Sequence, residues 1–166
     1  GIWAGTAVFT LGVLAGCLGW LVGWIALLRV LLDSEQVVPH AVVTALALGL
    51  ATISQFLFAW ALLAPDPALL HAAPRIALWC GLLPAAFAVS HRMLPFFTAS
   101  AVAGYRPHRP LWWLVAGTAL FIGHQALALA GRFEGLWLPD AALALLTGFI
   151  WLRWRPWMAR GIPLLW

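Results

Sequence analysis

Histidine supplies the strongest metal-ligand candidates in this chain, at His40, His71, His91, His108 and His124. No His-x-x-x-His or Cys-x-x-Cys pair occurs, so any metal site has to be assembled between segments distant in sequence. His91 and His124 stand inside long apolar stretches, where an ionisable group is costly and marks a candidate site. Imidazoles facing into a helical bundle suit the axial positions of a haem iron. The turn after the third apolar segment centres near Pro107-His108, with His91 about 16 residues before it and His124 about 17 after it. That spacing places both imidazoles at one depth on antiparallel helices, where they could share a metal. Single ligation by either, or plain hydrogen bonding between helices, remains open. Gly117 and Gly131 lie seven residues either side of His124 and leave space on its face for a large planar group.

Arg92 follows His91 directly, and a guanidinium in hydrocarbon needs an anion or the interface. The acidic residues Asp33, Glu35, Asp66, Glu134 and Asp140 all fall in loops or at span starts. A ligand anion such as a haem propionate would satisfy Arg92 by a charge-assisted bond; snorkelling to headgroups is the other course. Met93 is a soft ligand for iron or copper, or a core methionine. Phe96 and Phe97 would pack on a macrocycle or on lipid. Thr98 is placed to bond back to a carbonyl freed by Pro95. His40, His71 and His108 sit at span edges or in loops, suited to peripheral copper or to solvation. No Ser/His/Asp triad, phosphate-binding glycine loop or carboxylate pair is present, so no catalytic residue is assigned and the question of an enzyme stays open.

The elements that position these residues follow from composition. The chain of 166 residues is 64% hydrophobic and 8% charged, with mean hydropathy +0.98. A soluble domain carries about 25% charged residues, so the bilayer is this chain's solvent. The fold class is all-α, a polytopic transmembrane bundle of about five spanning helices. The segments run from about Trp3 to Leu32, from Pro39 to Leu63, from between His71 and Arg75 to Gly104, from Leu111 to about Ala130, and from Pro139-Asp140 to Trp157. Gly12, Gly16, Gly19 and Gly23 share one face of the first, open to a neighbouring helix or a cofactor. His40, Thr44 and Gln55 form a polar stripe on the second. Pro84 and Pro95 bracket His91 and Arg92 and predict a bent or broken helix. Cys17 and Cys80 lie in apolar runs and read as buried core residues without a disulfide.

The net charge of +4 comes with nine basic residues, all arginine and scattered at segment ends. No basic stripe tracks a phosphate backbone, which excludes a nucleic-acid partner. Alternating the loops puts Arg29, Arg106, Arg109, Arg153, Arg155 and Arg160 on one side, and the positive-inside rule makes that side cytoplasmic. Trp3, Trp60, Trp112, Trp113, Trp137, Trp151 and Trp154 lie near span ends, as an aromatic belt requires. With no internal repeat or linker, residues 1–166 read as one transmembrane domain whose partner is the lipid bilayer.

Arg92-Met93-Leu94-Pro95-Phe96-Phe97-Thr98 resembles the Arg-hydrophobic-hydrophobic-Pro-Phe-Phe-Thr signature of the NnrS family. Trp154-Arg155-Pro156-Trp157, with Arg160 and Pro163-Leu164-Leu165-Trp166, is similar to that family's lead-in to its next span. The family often has a second basic residue before the arginine; here it is His91. The resemblance implies a bacterial inner-membrane, multi-pass protein of about a dozen helices, containing haem and copper and linked to nitric oxide stress and denitrification. This chain would be its middle portion, completed by the parent's remaining helices. On that reading His91 and His124 are the metal-ligand candidates, with Arg92, Phe96 and Phe97 beside the cofactor and nitric oxide a possible ligand. A haem-free transporter or channel for a small anion or proton, and a non-catalytic membrane scaffold, are the alternatives.

Overall fold

The computed structural model describes residues 2–159. Every regular element among them is helical, and five helices are long and apolar enough to cross a membrane. In hydrocarbon a helix satisfies its backbone polar groups internally, which a lone strand cannot. Arg160 and the Pro163–Trp166 run lie outside the described residues, as does the side chain of Trp3.

The described chain forms two compact units that divide after Ala85. In the first, α1 (Ile2–Leu32) packs on α2 (Pro39–Leu63), and α3 (Pro67–Ile76) runs into a π-helical segment (Ala77–Leu82). Pro39 opens α2 and Pro67 opens α3, both at positions where a missing N–H costs nothing. Asp66 caps α3 by accepting from the Ala68 and Leu69 amides at 2.9 and 3.2 Å. Close approach is the packing rule here. A Cβ at Gly81 would fall 2.7 Å from the Ala51 Cβ, and one at Gly49 would strike the Trp24 ring at 2.8 Å. Trp24 also donates its indole N–H to the Ala45 carbonyl at 2.9 Å.

The glycine face of α1 is different. A Cβ at Gly12, Gly16, Gly19 or Gly23 meets nothing within 4 Å, so neither α2 nor α3 of this unit uses that face. The polar stripe of α2 is mostly absorbed locally. Thr44 returns its hydroxyl to the His40 carbonyl at 2.8 Å. Gln55 lines an apolar groove of about 420 Å³ with Trp20, Phe58 and Leu78.

The second unit holds α4, whose full helix is Leu83–Ala101, with α5 (Leu111–Leu129) and α6 (Trp137–Trp154). The helix expected to break around His91 is continuous from Leu83 to Ala101. The irregularity lies earlier, in the π-helical segment just before Pro84. A wider π turn moves the preceding carbonyls away from a proline ring that would collide with them in α geometry. Thr98 back-bonds to the Leu94 carbonyl at 2.9 Å, an ordinary in-helix bond. The carbonyl left without an α-helical donor by Pro95 is that of His91, so the expected repair at Pro95 does not occur through Thr98.

α5 ends in a Schellman motif. Gly131 adopts φ +68, its amide reaches Ala128 O at 3.2 Å, and the Arg132 amide reaches Leu127 O at 2.9 Å. Glycine is the residue that takes this left-handed position without a Cβ penalty. The fold class, the span count and the loops thus follow the sequence expectation. Span five starts at Trp137 rather than at Pro139, and span three already at Pro67. Cys17 and Cys80 are free and buried, as expected.

Candidate functional site

On α4 the helical phase divides the motif. Ala88, His91, Pro95 and Thr98 are buried, at the three- and four-residue spacing of one face. Arg92, Met93, Phe96 and Phe97 point out, with the two phenylalanines 58% and 56% exposed. His91 therefore does not share a pocket with Arg92, Phe96 or Phe97. Met93 is not a core residue. Arg92 makes no ion pair among the described residues, where the one such pair is elsewhere.

His91 is fully buried in an aromatic box. Its ring centroid lies 6.3 Å from Phe87, 6.3 Å from Trp113 and 5.8 Å from Trp154, the two tryptophans presenting edges. Trp113 and Trp154 are buried and form the core of this unit with Ile150; they are not belt residues. Trp112 and Trp151, one helical phase away, are exposed and fill that role. Trp154 donates its indole N–H to the His108 carbonyl at 3.0 Å, and the His108 ring lies 5.2 Å from Trp113. The loop of residues 102–110 is thereby fastened over the box.

His124 lies in a different place. His91 is level with Trp113, and His124 stands about 16 Å further along α5 by the helical rise. The expectation of one depth fails because residues 102–110 leave the helix. They add chain length without adding levels, which shifts the pairing toward the start of α5. A metal shared between His91 and His124 is not assembled in this arrangement. Nor do the two flanking glycines leave room for a planar group. A Cβ at Gly117 would overlap the Phe87 ring, and Gly131 is the helix cap.

What sequence reasoning missed is the partner of His124. Its Nδ1 lies 2.7 Å from the Asp140 carboxylate, across the α5–α6 pair. Asp140, expected only as an acid at a span start, sits in the first turn of α6 and faces the imidazole. The same arithmetic that misled for His91 finds this pair, because the α5–α6 connection is tight. His124 and Asp140 are centred on Gly131-Arg132, where the chain reverses at once. His124 is 9% exposed, and Asp140 keeps nearly half its surface open.

A carboxylate on Nδ1 fixes the tautomer, so that Nε2 carries the lone pair. This is the usual support for a metal-binding imidazole. The neighbours are also permissive. Gly123, Leu138 and Pro139 line an open apolar groove of about 470 Å³ with Ala119, Leu120, Ala126 and Leu127. A Cβ at Gly123 meets nothing within 4 Å. Among the described residues no group of three or more His, Cys, Asp or Glu side chains could enclose a metal ion. The carboxylate-supported imidazole thus has the chemistry of a haem ligand, and the described residues do not by themselves make a closed copper site.

The helices and their apolar surfaces define a polytopic helical membrane protein, with one carboxylate-supported histidine and one histidine boxed by aromatic rings. The NnrS protein family model matches residues 1–166, and the chain belongs to that family. No curated protein matches the chain. No solved structure matches it either.

Proposed function

We propose that this chain belongs to a haem-binding membrane protein and supplies an imidazole that would hold the haem, within a family response to nitric oxide. The observation carrying the proposal is the His124–Asp140 contact at 2.7 Å. His124 would hold the iron through Nε2. Asp140 would accept a hydrogen bond from Nδ1–H and hold the ring's tautomer and orientation. Gly123, Ala119 and Ala126, which line the open apolar groove on the same helix, would offer apolar contact to the bound group. Bound there, haem iron supplies reversible ligation of a diatomic gas or one-electron transfer. His91 is the alternative ligand; its aromatic box would have to open to admit the group. In the bacterial inner membrane, the location the family resemblance implies, the arginine-rich loop ends would face the cytoplasm by the positive-inside rule. Copper, if bound, would draw ligands from beyond the described residues.

The test is the optical spectrum of the full-length protein in mild detergent, with and without nitric oxide. The wild type is expected to show a Soret band that shifts with the gas. His124→Ala is expected to lose the band and His91→Ala to keep it. A band retained in His124→Ala and lost in His91→Ala would transfer the ligand role to the boxed histidine. A colourless wild type from haem-replete cells, with solute flux in liposomes, would replace this reading with transport.

A further inference from the structure

The second unit carries a second polar feature that the histidines do not explain. At the end of α6 and the loop of residues 102–110, a cleft of about 320 Å³ is lined by Arg106, Arg153, Arg155, His108, Tyr105 and Met158, among others. The space is about tenfold that of one water molecule in the liquid. Three arginines line it, and no carboxylate is among the lining residues. Like charges brought together without an acid are unfavourable unless an anion joins them.

The backbone holds the arrangement. Trp154 ties the loop to α6 through the His108 carbonyl at 3.0 Å. Arg155 closes α6 in the left-handed region at φ 48 and ψ 49, its amide on Trp151 O, and this turns the chain back toward the loop. The Arg153 guanidinium carbon lies 5.2 Å from the centre of the Phe149 ring, a cation–π contact that holds the side chain beside α6. The Tyr105 hydroxyl is buried with no hydrogen-bond partner among the described residues. Burial raises its pKa above the usual tyrosine value, so at neutral pH it is a donor in need of an acceptor. Exposed Trp151 and Trp157 flank the cleft in sequence, which sets it at headgroup level.

We infer that this cleft binds a phosphate-bearing anion at the membrane surface, as the headgroup of an anionic phospholipid or as free phosphate. Arg106, Arg153 and Arg155 contact the phosphate oxygens by charge-assisted bonds, and the Tyr105 hydroxyl donates to one of them. Basic pockets between transmembrane helices on the cytoplasmic side recognise such headgroups. Leu152 and Met158 give the apolar wall that a glycerol backbone would meet.

The experiment uses the full-length protein in nanodiscs of phosphatidylcholine with or without phosphatidylglycerol. Lipid retained after detergent extraction is read by native mass spectrometry. Wild type is expected to retain phosphatidylglycerol, and the triple variant R106Q/R153Q/R155Q to retain about tenfold less. The single variants Y105F and R106Q guard against misfolding of the triple, and each is expected to show a partial loss at wild-type helicity. R29Q, outside the cleft, is expected to behave as wild type. Inorganic phosphate at millimolar concentration is the second arm. If it displaces the lipid fully and binds with the same arginine dependence, free phosphate is the ligand; if it does not compete, the headgroup is. Equal retention by wild type, Y105F, R106Q and the triple variant would overturn the inference. So would loss of haem absorbance in the triple with lipid retention unchanged, since the cleft would then serve a different anion. The haem reading itself rests on His124 and stands or falls separately.

Discussion

Asp140 does for His124 what no residue in the apolar part of the chain could do: it removes the ambiguity between the two ring nitrogens. Replacing it with asparagine keeps the volume and loses the charge. Asp140→Asn is expected to weaken haem retention about 10–100-fold, the usual effect of losing such a partner, as read from the Soret band during dilution or chase by apomyoglobin. A band unchanged in stability would show that the carboxylate serves only the helix terminus. The aromatic box gives a second residue-level expectation. Trp154→Phe keeps an aromatic ring but deletes the pyrrole half of the indole, with the N–H that holds the His108 carbonyl at 3.0 Å. A loss of about 1–3 kcal/mol is expected from the hydrogen bond and the small cavity together, measured as a lower thermal midpoint in detergent. Trp154→Ala should cost more, about 3–5 kcal/mol, because it empties more space in the core.

At the scale of the helix, the glycines fall into two kinds that the sequence did not separate. Gly81 and Gly117 are filled by neighbours, Ala51 in one case and the Phe87 ring in the other. Gly16 and Gly19 face open space. Gly117→Val is therefore expected to cost about 1–3 kcal/mol by overpacking and to disturb Phe87 where it meets His91. Gly16→Ala is expected to stay within about 0.5 kcal/mol of wild type. Thermal unfolding of the two variants side by side checks both. A large penalty at Gly16 would mean that a further helix packs on that face. The regular pattern at Gly12, Gly16, Gly19 and Gly23 was easy to read. Whether a neighbour occupies it was not, because periodicity reports which residues share a face and not what the face meets. Helical phase was likewise available but unused. Trp112 and Trp113 differ by one residue, yet one is 57% exposed and the other 1%. A count of tryptophans near span ends cannot tell belt from core.

For the whole molecule, span number and class were legible because hydrocarbon thickness and backbone satisfaction leave few choices. The motif around Arg92 was enough to indicate the family. The site was less legible, since it depends on the relative level of helices, and that level is set by loops. The nine-residue stretch 102–110 is non-helical and offsets α4 from α5; the tight cap at Gly131 hardly offsets α5 from α6. Turn arithmetic failed across the first and works across the second. Topology is testable at this scale. Single cysteines replacing Arg109 and Glu134, at opposite ends of α5, are expected to react with a membrane-impermeant maleimide from opposite sides of the membrane, with Cys17 and Cys80 silent because both are buried. Labelling from one side would remove α5 from the set of spanning helices.

The Schellman turn at Gly131 also has a consequence for how this family can change. His124 and Asp140 are 16 positions apart, and their contact passes through a reversal with no slack. A single inserted or deleted residue between them would rotate one partner by about 100°. Lineages that keep the pair should therefore keep its separation and the glycine together. Lineages that lose the glycine should be free to lose both partners.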